Sequence, residues 1–308
     1  MSGIPQQEML EAGVHFGHLK KKWNPKMLPY IFMEHKGIHI IDLNKTNASL
    51  LKAADGMRKL VSGGQDILFV ATKKQAKDIV ADLAREVNMP YVTERWLGGM
   101  LTNFSTIRKS IKKRETFEKL LTENATALTK KERLMLSREK QKLDRVLGGI
   151  ANLRRLPAAL FIIDITHEHI ALAEARKLNL RTFALVDTNS DPTLVDFPIP
   201  GNDDASKSVS LIARYLVDAI KEGLVERKQN NMENNMRAEK EGGSDRPRRN
   251  NRKRRRKKEE TPAVVQQKTP PVVEAVPPVV EAVPPVVEAV LPVVEAPAPK
   301  IAEDSNTE

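Results

Sequence analysis

Two runs in this chain, ILFVAT at Ile67–Thr72 and ALFIID at Ala159–Asp164, are apolar at successive positions and have no polar face to turn to water. A strand of that kind is stable only when both faces are covered, as in a parallel sheet with helices on either side. Further β-rich runs fall at Ile38–Leu43, Tyr91–Thr93 and Thr182–Asp187, with a short extended piece at Phe197–Pro200. Helical periodicity separates them at Gln6–Ala12, Asn47–Val61, Lys74–Val87, His167–Leu178 and Ala205–Lys221. The alternation predicts a doubly wound α/β domain.

Residues 104–150 break that rhythm. They read as two long, charged helices separated near Glu123–Thr129. Ile107 and Ile111 on the first, and Leu136, Leu143, Leu147 and Ile150 on the second, form narrow apolar seams. Packed antiparallel, such helices make a protruding coiled-coil hairpin. Gly98–Gly99 and Gly148–Gly149 stand where the chain must leave and rejoin the sheet. Trp96, Gly98 and Gly99 are therefore the expected hinge, the glycines allowing a sharp turn and the indole anchoring its base.

Composition changes again from about Arg227. Arg246–Lys258 holds ten basic residues in thirteen, and PPVVEAV then recurs at Pro270, Pro277 and Pro284, followed by LPVVEAP at Leu291. A proline pair in each seven-residue unit removes helix donors, so the period is not a coiled coil; extended and polyproline conformations suit it better. The reading is a folded domain over 1–228, carrying the hairpin insertion at about 104–150, and a disordered tail over 229–308.

The 308 residues include 51 Lys or Arg and 40 Asp or Glu, a net charge of +11. Residues 1–228 carry 37 of the basic and 27 of the acidic side chains, so the excess lies in the folded part. A basic folded surface points to a polyanionic partner. Cysteine is absent, which excludes a disulfide scaffold, a thiolate nucleophile and Cys-ligated metal. The longest apolar run, Leu156–Ile163, holds eight residues including a proline, far short of a membrane span. The start, MSGIPQQEML, has neither a basic nor an apolar leader region, so a cytoplasmic location is expected. After ILFVAT comes KKQAKD rather than a phosphate-cradling glycine loop, and no H-E-x-x-H or G-x-S-x-G pattern occurs. An enzyme and a small-molecule substrate are not expected.

The basic residues cluster. Lys20, Lys21, Lys22 and Lys26 surround Trp23, placing a stacking surface in a cationic patch. Lys73, Lys74 and Lys77 are expected to open a helix after a strand. Arg108, Lys109, Lys112, Lys113 and Arg114 recur along one hairpin helix, and Lys130, Lys131, Arg133, Arg138 and Lys140 along the other. Any one cluster reads as a solvated face, and Glu115, Glu118, Glu132 and Glu139 supply intrahelical pairs. Together they favour a phosphate-backbone partner, with Arg95 and Asn103 beside the hinge as further RNA contacts.

Two acidic stretches have two readings each. Asp187 and Asp191 lie in DTNSDP, directly after a strand, and Asp203 and Asp204 in GNDDA, before the last helix. Asn202 or Asp203 suits a helix cap, and Asp191 before Pro192 suits a turn. The alternative is an oxygen-lined site for Mg²⁺ or another hard divalent cation, although no cofactor is required. His15 and His18 in VHFGH have no carboxylate beside them in sequence, and read as a packed turn rather than a metal site.

Several long segments resemble the bacterial ribosomal protein S-two family of the small subunit. They are EAGVHFGHLKKKWNPKMLPYIF, GIHIIDLNKT, ILFVATKK, RWLGGMLTNFSTIRKSI, LTKKE, LGGI, PAALFIIDITHEHIALAEA and ALVDTNSDPTLVDFPIPGNDDA, in that family's order over roughly residues 4–226. The resemblance implies a flavodoxin/Rossmann-like α/β domain with an inserted hairpin and no enzymatic activity. It also implies docking on 16S rRNA, contacts with neighbouring small-subunit proteins, and support for the large mRNA-binding ribosomal protein S-one. Arg181 stands where the family usually has Pro or Ala, and the tail beyond Arg227 has no counterpart in the common core. An off-ribosome RNA-binding regulator and a nucleotide-dependent enzyme on the same sheet are the other two readings.

Overall fold

The computed structural model describes residues 3–123 and 129–241. The expected basic run and the seven-residue repeats lie outside the described residues, as does the connection at 124–128. The elements are, in order, α1 (Gln6–Glu11), β1 (Phe16–Leu19), β2 (Ile31–His35), β3 (Ile38–Ile41), α2 (Leu43–Ser62), β4 (Ile67–Val70), α3 (Lys77–Glu86), β5 (Tyr91–Val92), α4 (Phe104–Glu123), α5 (Lys130–Leu147), β6 (Ala159–Ile163), α6 (His169–Lys177), β7 (Arg181–Val186), β8 (Phe197–Pro200) and α7 (Ser206–Glu241). Short 3₁₀ turns fill Lys20–Lys22, Pro25–Tyr30, Gly148–Ile150 and Pro192–Leu194. Among the described residues no helix is long and apolar enough to cross a membrane.

The five-stranded sheet runs β5-β4-β6-β7-β8, parallel throughout. Its two faces are both buried, for the reason the apolar runs give. Ile67, Phe69, Phe161, Phe183 and Leu185 point to a core shared with α1, α2, α3 and α7, while Leu68, Val70, Leu160, Ile162, Ala184 and Val186 point to one shared with α6 and the hairpin base. Pro198 and Pro200 fit because β8 is an edge strand, where missing backbone donors disrupt no ladder between neighbours on both sides.

Four sequence expectations change. The run at Ile38–Leu43 does not join the parallel sheet. It becomes β3, the centre of a separate antiparallel sheet of order β1-β3-β2. His35 pairs with Ile38 across Lys36–Gly37, both at positive φ (50° and 77°), the geometry of a two-residue primed turn. Asp42, expected inside that strand, instead caps α2 by accepting from the Asn44 amide at 3.0 Å, so the helix starts at Leu43 rather than Asn47. Helix α3 starts at Lys77, because Lys73–Ala76 are used in a turn that ties the end of β4 to the acidic residues described below. Helix α7 continues to Glu241, so residues 229–241 are helical where composition pointed to a tail.

The hairpin insertion forms as expected. Ile107, Ile111, Phe117, Leu147 and Ile150 are buried along its seam and base. Its acid–base pairs run mainly between the helices rather than within them: Lys140 to Glu118 at 2.9 Å, Lys113 to Glu139 at 3.8 Å, and Arg114 to Asp144. Thr129 and Glu132 close a reciprocal capping box at the start of α5.

Candidate functional site

Parallel sheets present their strand ends to ligands at the carboxyl edge. Here that edge gathers Lys73 after β4, Asp164 after β6, Asp187 after β7, and Asp203 and Asp204 after β8. Lys73 Nζ lies 2.8 Å from Asp203 Oδ1, 2.6 Å from Asp204 Oδ1 and 3.2 Å from Asp164 Oδ2. From the small sheet, His18 Nδ1 donates to Asp187 Oδ2 at 2.8 Å, and its Nε2 is 3.5 Å from Asp204 Oδ2. Glu168, also buried, accepts from the Thr72 amide at 2.9 Å and from the Thr72 hydroxyl.

Each shift in this cluster has a physical cause. Burial and then the fields of Asp187 and Asp164 push the Asp203 carboxyl up to about 7, against the pull of Lys73. Burial alone would lower Lys73, but its hydrogen bonds to Asp203 and Asp204 hold it above the usual lysine value, so it stays charged. The Lys73 hydrogen bond holds Asp204 below the usual carboxylate range. The Asp187 hydrogen bond raises His18.

This geometry corrects several expected roles. Lys73, expected as an RNA contact, is turned inward, where three carboxylates claim its ammonium. Lys26 pairs with Asp191 at 2.6 Å, and Asp191 also caps the Pro192–Leu194 turn through the Thr193 amide at 3.0 Å, so Asp191 stands apart from the other acids. Asn202, not Asp203, accepts from the backbone, taking the Asp204 and Ala205 amides in the turn that leads into α7. His18, taken from sequence as a packed turn without carboxylates, meets two that the fold brings from 169 and 186 residues away. Lys20 pairs with Glu34 at 2.7 Å, and Lys113 lies over the Phe117 ring as well as near Glu139. Trp23 is half-buried and tilts against His39, with ring centroids 5.0 Å apart. Asn103 accepts from the Thr106 hydroxyl at 2.8 Å at the start of α4.

Exposed cations remain. Lys21, Lys22, Lys74, Arg95, Lys109 and Lys112 are exposed and make no ion pair among the described residues, and exposed Arg108 only donates to the Arg154 carbonyl at 3.2 Å. Beside Lys21 and Lys22 the small sheet carries exposed Phe16, Leu19, Phe32 and Met33, with Phe32 71% accessible. Nothing in the alternation of FGHL or IFMEH distinguishes such a face from a core-facing one, and sequence reasoning missed it.

The hinge is organised by a residue that sequence reasoning also missed. Glu174 of α6 is buried and holds the 96–102 loop. Its Oε1 accepts from Trp96 Nε1 at 3.1 Å and the Gly99 amide at 2.7 Å, and its Oε2 from the Leu101 and Thr102 amides at 2.9 and 3.0 Å and the Thr102 hydroxyl at 3.1 Å. Burial works to raise its carboxyl, but these donors hold it below the usual range. Trp96 is buried as expected. The conformational demand falls on Gly99, at φ +84°, and not on Gly98, whose added Cβ would meet nothing within 4 Å. Gly99→Ala should therefore cost about 1 kcal/mol or more in thermal unfolding, with Gly98→Ala within about 0.5 kcal/mol of the parent.

The fold and site together define a class: a basic α/β protein with an inserted helical hairpin, whose sheet edge is filled by an ammonium–carboxylate cluster. The model of the family described as Ribosomal protein S2 matches residues 9–223. The chain is 59% identical over 227 residues to the small ribosomal subunit protein uS2 of Cytophaga hutchinsonii, covering 73% of this chain and 89% of that one. It is 57% identical over 225 residues to the protein of the same name from Flavobacterium johnsoniae, again covering 73% and 89%, and 56% identical over 226 residues to that from Christiangramia forsetii, covering 73% and 76%. The chain belongs to the ribosomal protein S2 family.

Proposed function

We propose that this chain is a structural, non-enzymatic component of the small ribosomal subunit that binds 16S rRNA and neighbouring subunit proteins in the cytoplasm. Family membership carries the ribosomal reading. The exposed, unpaired cations on α4 and at Lys21–Lys22, Lys74 and Arg95 support the contact with RNA, made through phosphates rather than bases. The apolar face of Phe16, Leu19, Phe32 and Met33 supports a protein neighbour, the large mRNA-binding ribosomal protein S-one among the partners the family implies. Residues 1–228 act as the docking domain, and the basic run Arg246–Lys258 adds sequence-independent affinity for RNA.

Sedimentation tests the assignment: the tagged chain should travel with the small subunit in a sucrose gradient. Exclusive recovery in the free fraction bound to an mRNA would favour the off-ribosome regulator instead. The phosphate contacts have their own signature. Substituting Lys109 and Lys112 by Gln should flatten the slope of log affinity for rRNA against log salt by about 2, with no change in sequence preference. Lys113→Gln should change it less, because Lys113 is partly committed to Glu139 and Phe117. An unchanged slope in the double variant would make this face merely solvated.

A further inference from the structure

Parallel sheets usually take their ligands at the carboxyl edge. Here that edge is filled by internal ion pairs, Lys73 with Asp164, Asp203 and Asp204. The free charge lies at the opposite, amino edge. Arg154 and Arg155 stand in the lead-in to β6, Arg181 opens β7, Arg176 lies in the last turn of α6, and Arg227 lies on α7. All five are exposed, and none makes an ion pair among the described residues. The acids around them are engaged or turned in: Asp82 pairs with Arg85, Glu86 with Lys221 and Glu226 with Arg58, Asp196 accepts from the Thr182 amide and hydroxyl, and Asp66 is half-buried.

The backbone sets these arginines side by side. The Ala158 amide donates to the Asp66 carbonyl at 3.0 Å and the Arg181 amide to the Ala158 carbonyl at 3.4 Å, so the lead-ins to β4, β6 and β7 are neighbours. Arg155 Nη2 donates to the Gly64 carbonyl at 2.7 Å, and the Arg227 guanidinium lies against the same residue, its Cζ 3.4 Å from where a Cβ on Gly64 would stand. Two guanidiniums thus meet at Gly64, and neither has a carboxylate within ion-pair distance among the described residues. Further along the edge, Arg176 and Arg181 line a cavity of about 550 Å³ with Asn179, Thr182 and Thr193. Arg154 joins the edge to the hairpin. Its carbonyl accepts from Arg108 at 3.2 Å, and with Arg108 and Lys112 it lines a cavity of about 360 Å³. The helix dipole accounts for a cation at Arg176, but Arg154, Arg155 and Arg181 lie outside helices and Arg227 lies within the body of one.

We propose that this amino edge is a second RNA-binding face, carrying phosphate backbone onward from α4 over Arg154 to Arg155 and Arg227, and then to Arg181 and Arg176. Guanidinium forks hold phosphate oxygens two at a time, and unpaired arginines gathered on one edge offer several such forks. Leu156 and Val225 are the large exposed apolar side chains nearest these arginines in sequence. They are too few for the apolar centre of a protein interface, whereas nucleic-acid interfaces are polar and positively charged. The inference rests on the RNA-binding reading above and adds to it a face at the edge that such folds usually leave without a ligand.

The test uses the full chain and a 16S rRNA transcript, reading the slope of log affinity against log salt. Arg155→Gln with Arg181→Gln should flatten the slope by about 2, and adding Lys109→Gln and Lys112→Gln should bring the change to about 4, because well-separated contacts add. Lys52→Gln with Lys207→Gln removes equal charge from exposed positions off this path and should leave the slope unchanged. Thermal melts report folding of each variant. In the parent chain, bound transcript should also protect Arg155, Arg176 and Arg181 from phenylglyoxal, a readout that needs no substitution. An unchanged slope in the edge pair, with the α4 pair still flattened, overturns this proposal and leaves the RNA-binding reading intact; the edge then faces solvent or a protein. Equal flattening by the Lys52 and Lys207 pair would reduce the effect to net charge and overturn it as well. A parent affinity that does not respond to salt would overturn both readings.

Discussion

Glu174→Ala is expected to destabilise the folded domain by about 4 kcal/mol, lowering its melting temperature by about 10 °C. The carboxylate satisfies the Trp96 indole and the amides of Gly99, Leu101 and Thr102, all contributed by the loop from which the hairpin departs. Truncation leaves these donors facing a small void, and each buried donor left unmade costs roughly 1–3 kcal/mol before water relaxes the site. Glu174→Gln is the sharper probe. Donors face both carboxylate oxygens, so the amide NH₂ of Gln must oppose at least two of them whichever way it turns, and about half the loss should remain. The pH dependence follows from the sign of the shift. A carboxyl held lower in the folded state than in the unfolded chain contributes above its unfolded value and is lost as pH falls through the folded one. The stability gap between parent and Glu174→Gln should thus be constant near neutral pH and close below about pH 4. Denaturant unfolding across that range measures it, and a gap that persists into acid would mean that the charge is not what holds the loop.

The parts of this molecule that sequence displays are those set by local period and composition. Apolar runs without a polar face could only be covered parallel strands, and ILFV and ALFII became β4 and β6 side by side. Two charged helices with narrow seams became the hairpin. What stayed hidden depends on long-range convergence. ALFIID, ALVD and GNDDA each put an aspartate just past a strand, yet the chain gives no sign that Lys73 will sit among three of them or that His18 will face two. Glu174 looks like an ordinary exposed acid within ALAEARK, because the donors that bury it lie 72 to 78 residues earlier. The small antiparallel sheet was missed for a different reason. Its signal is the positive-φ pair Lys36–Gly37, and a lone Lys-Gly is a weak turn signature beside the apolar Ile38–Ile41.

Gly149→Ala is the second large effect, expected at about 3 kcal/mol, against a change within about 0.5 kcal/mol for Gly148→Ala one residue earlier. Both glycines stand where the chain leaves α5, and sequence alone treats them alike. The structure separates them. A Cβ on Gly149 would come within 2.1 Å of the Tyr91 carbonyl oxygen and 2.8 Å of its ring, whereas one on Gly148 would meet nothing within 4 Å. Tyr91 belongs to β5, the edge strand beside β4, and its carbonyl is backbone that cannot swing aside as a side chain can. Relief therefore requires the Gly148–Ile150 turn to lift from the edge strand, taking the buried Leu147 and Ile150 partly out of the core beneath the hairpin. The loss should appear in the melting temperature and as faster hydrogen exchange in β5 and the base of α5, while the outer halves of the hairpin helices exchange as before. Equal stability of the two alanine variants would show that the turn has room to move, and that the hairpin base tolerates displacement from the sheet.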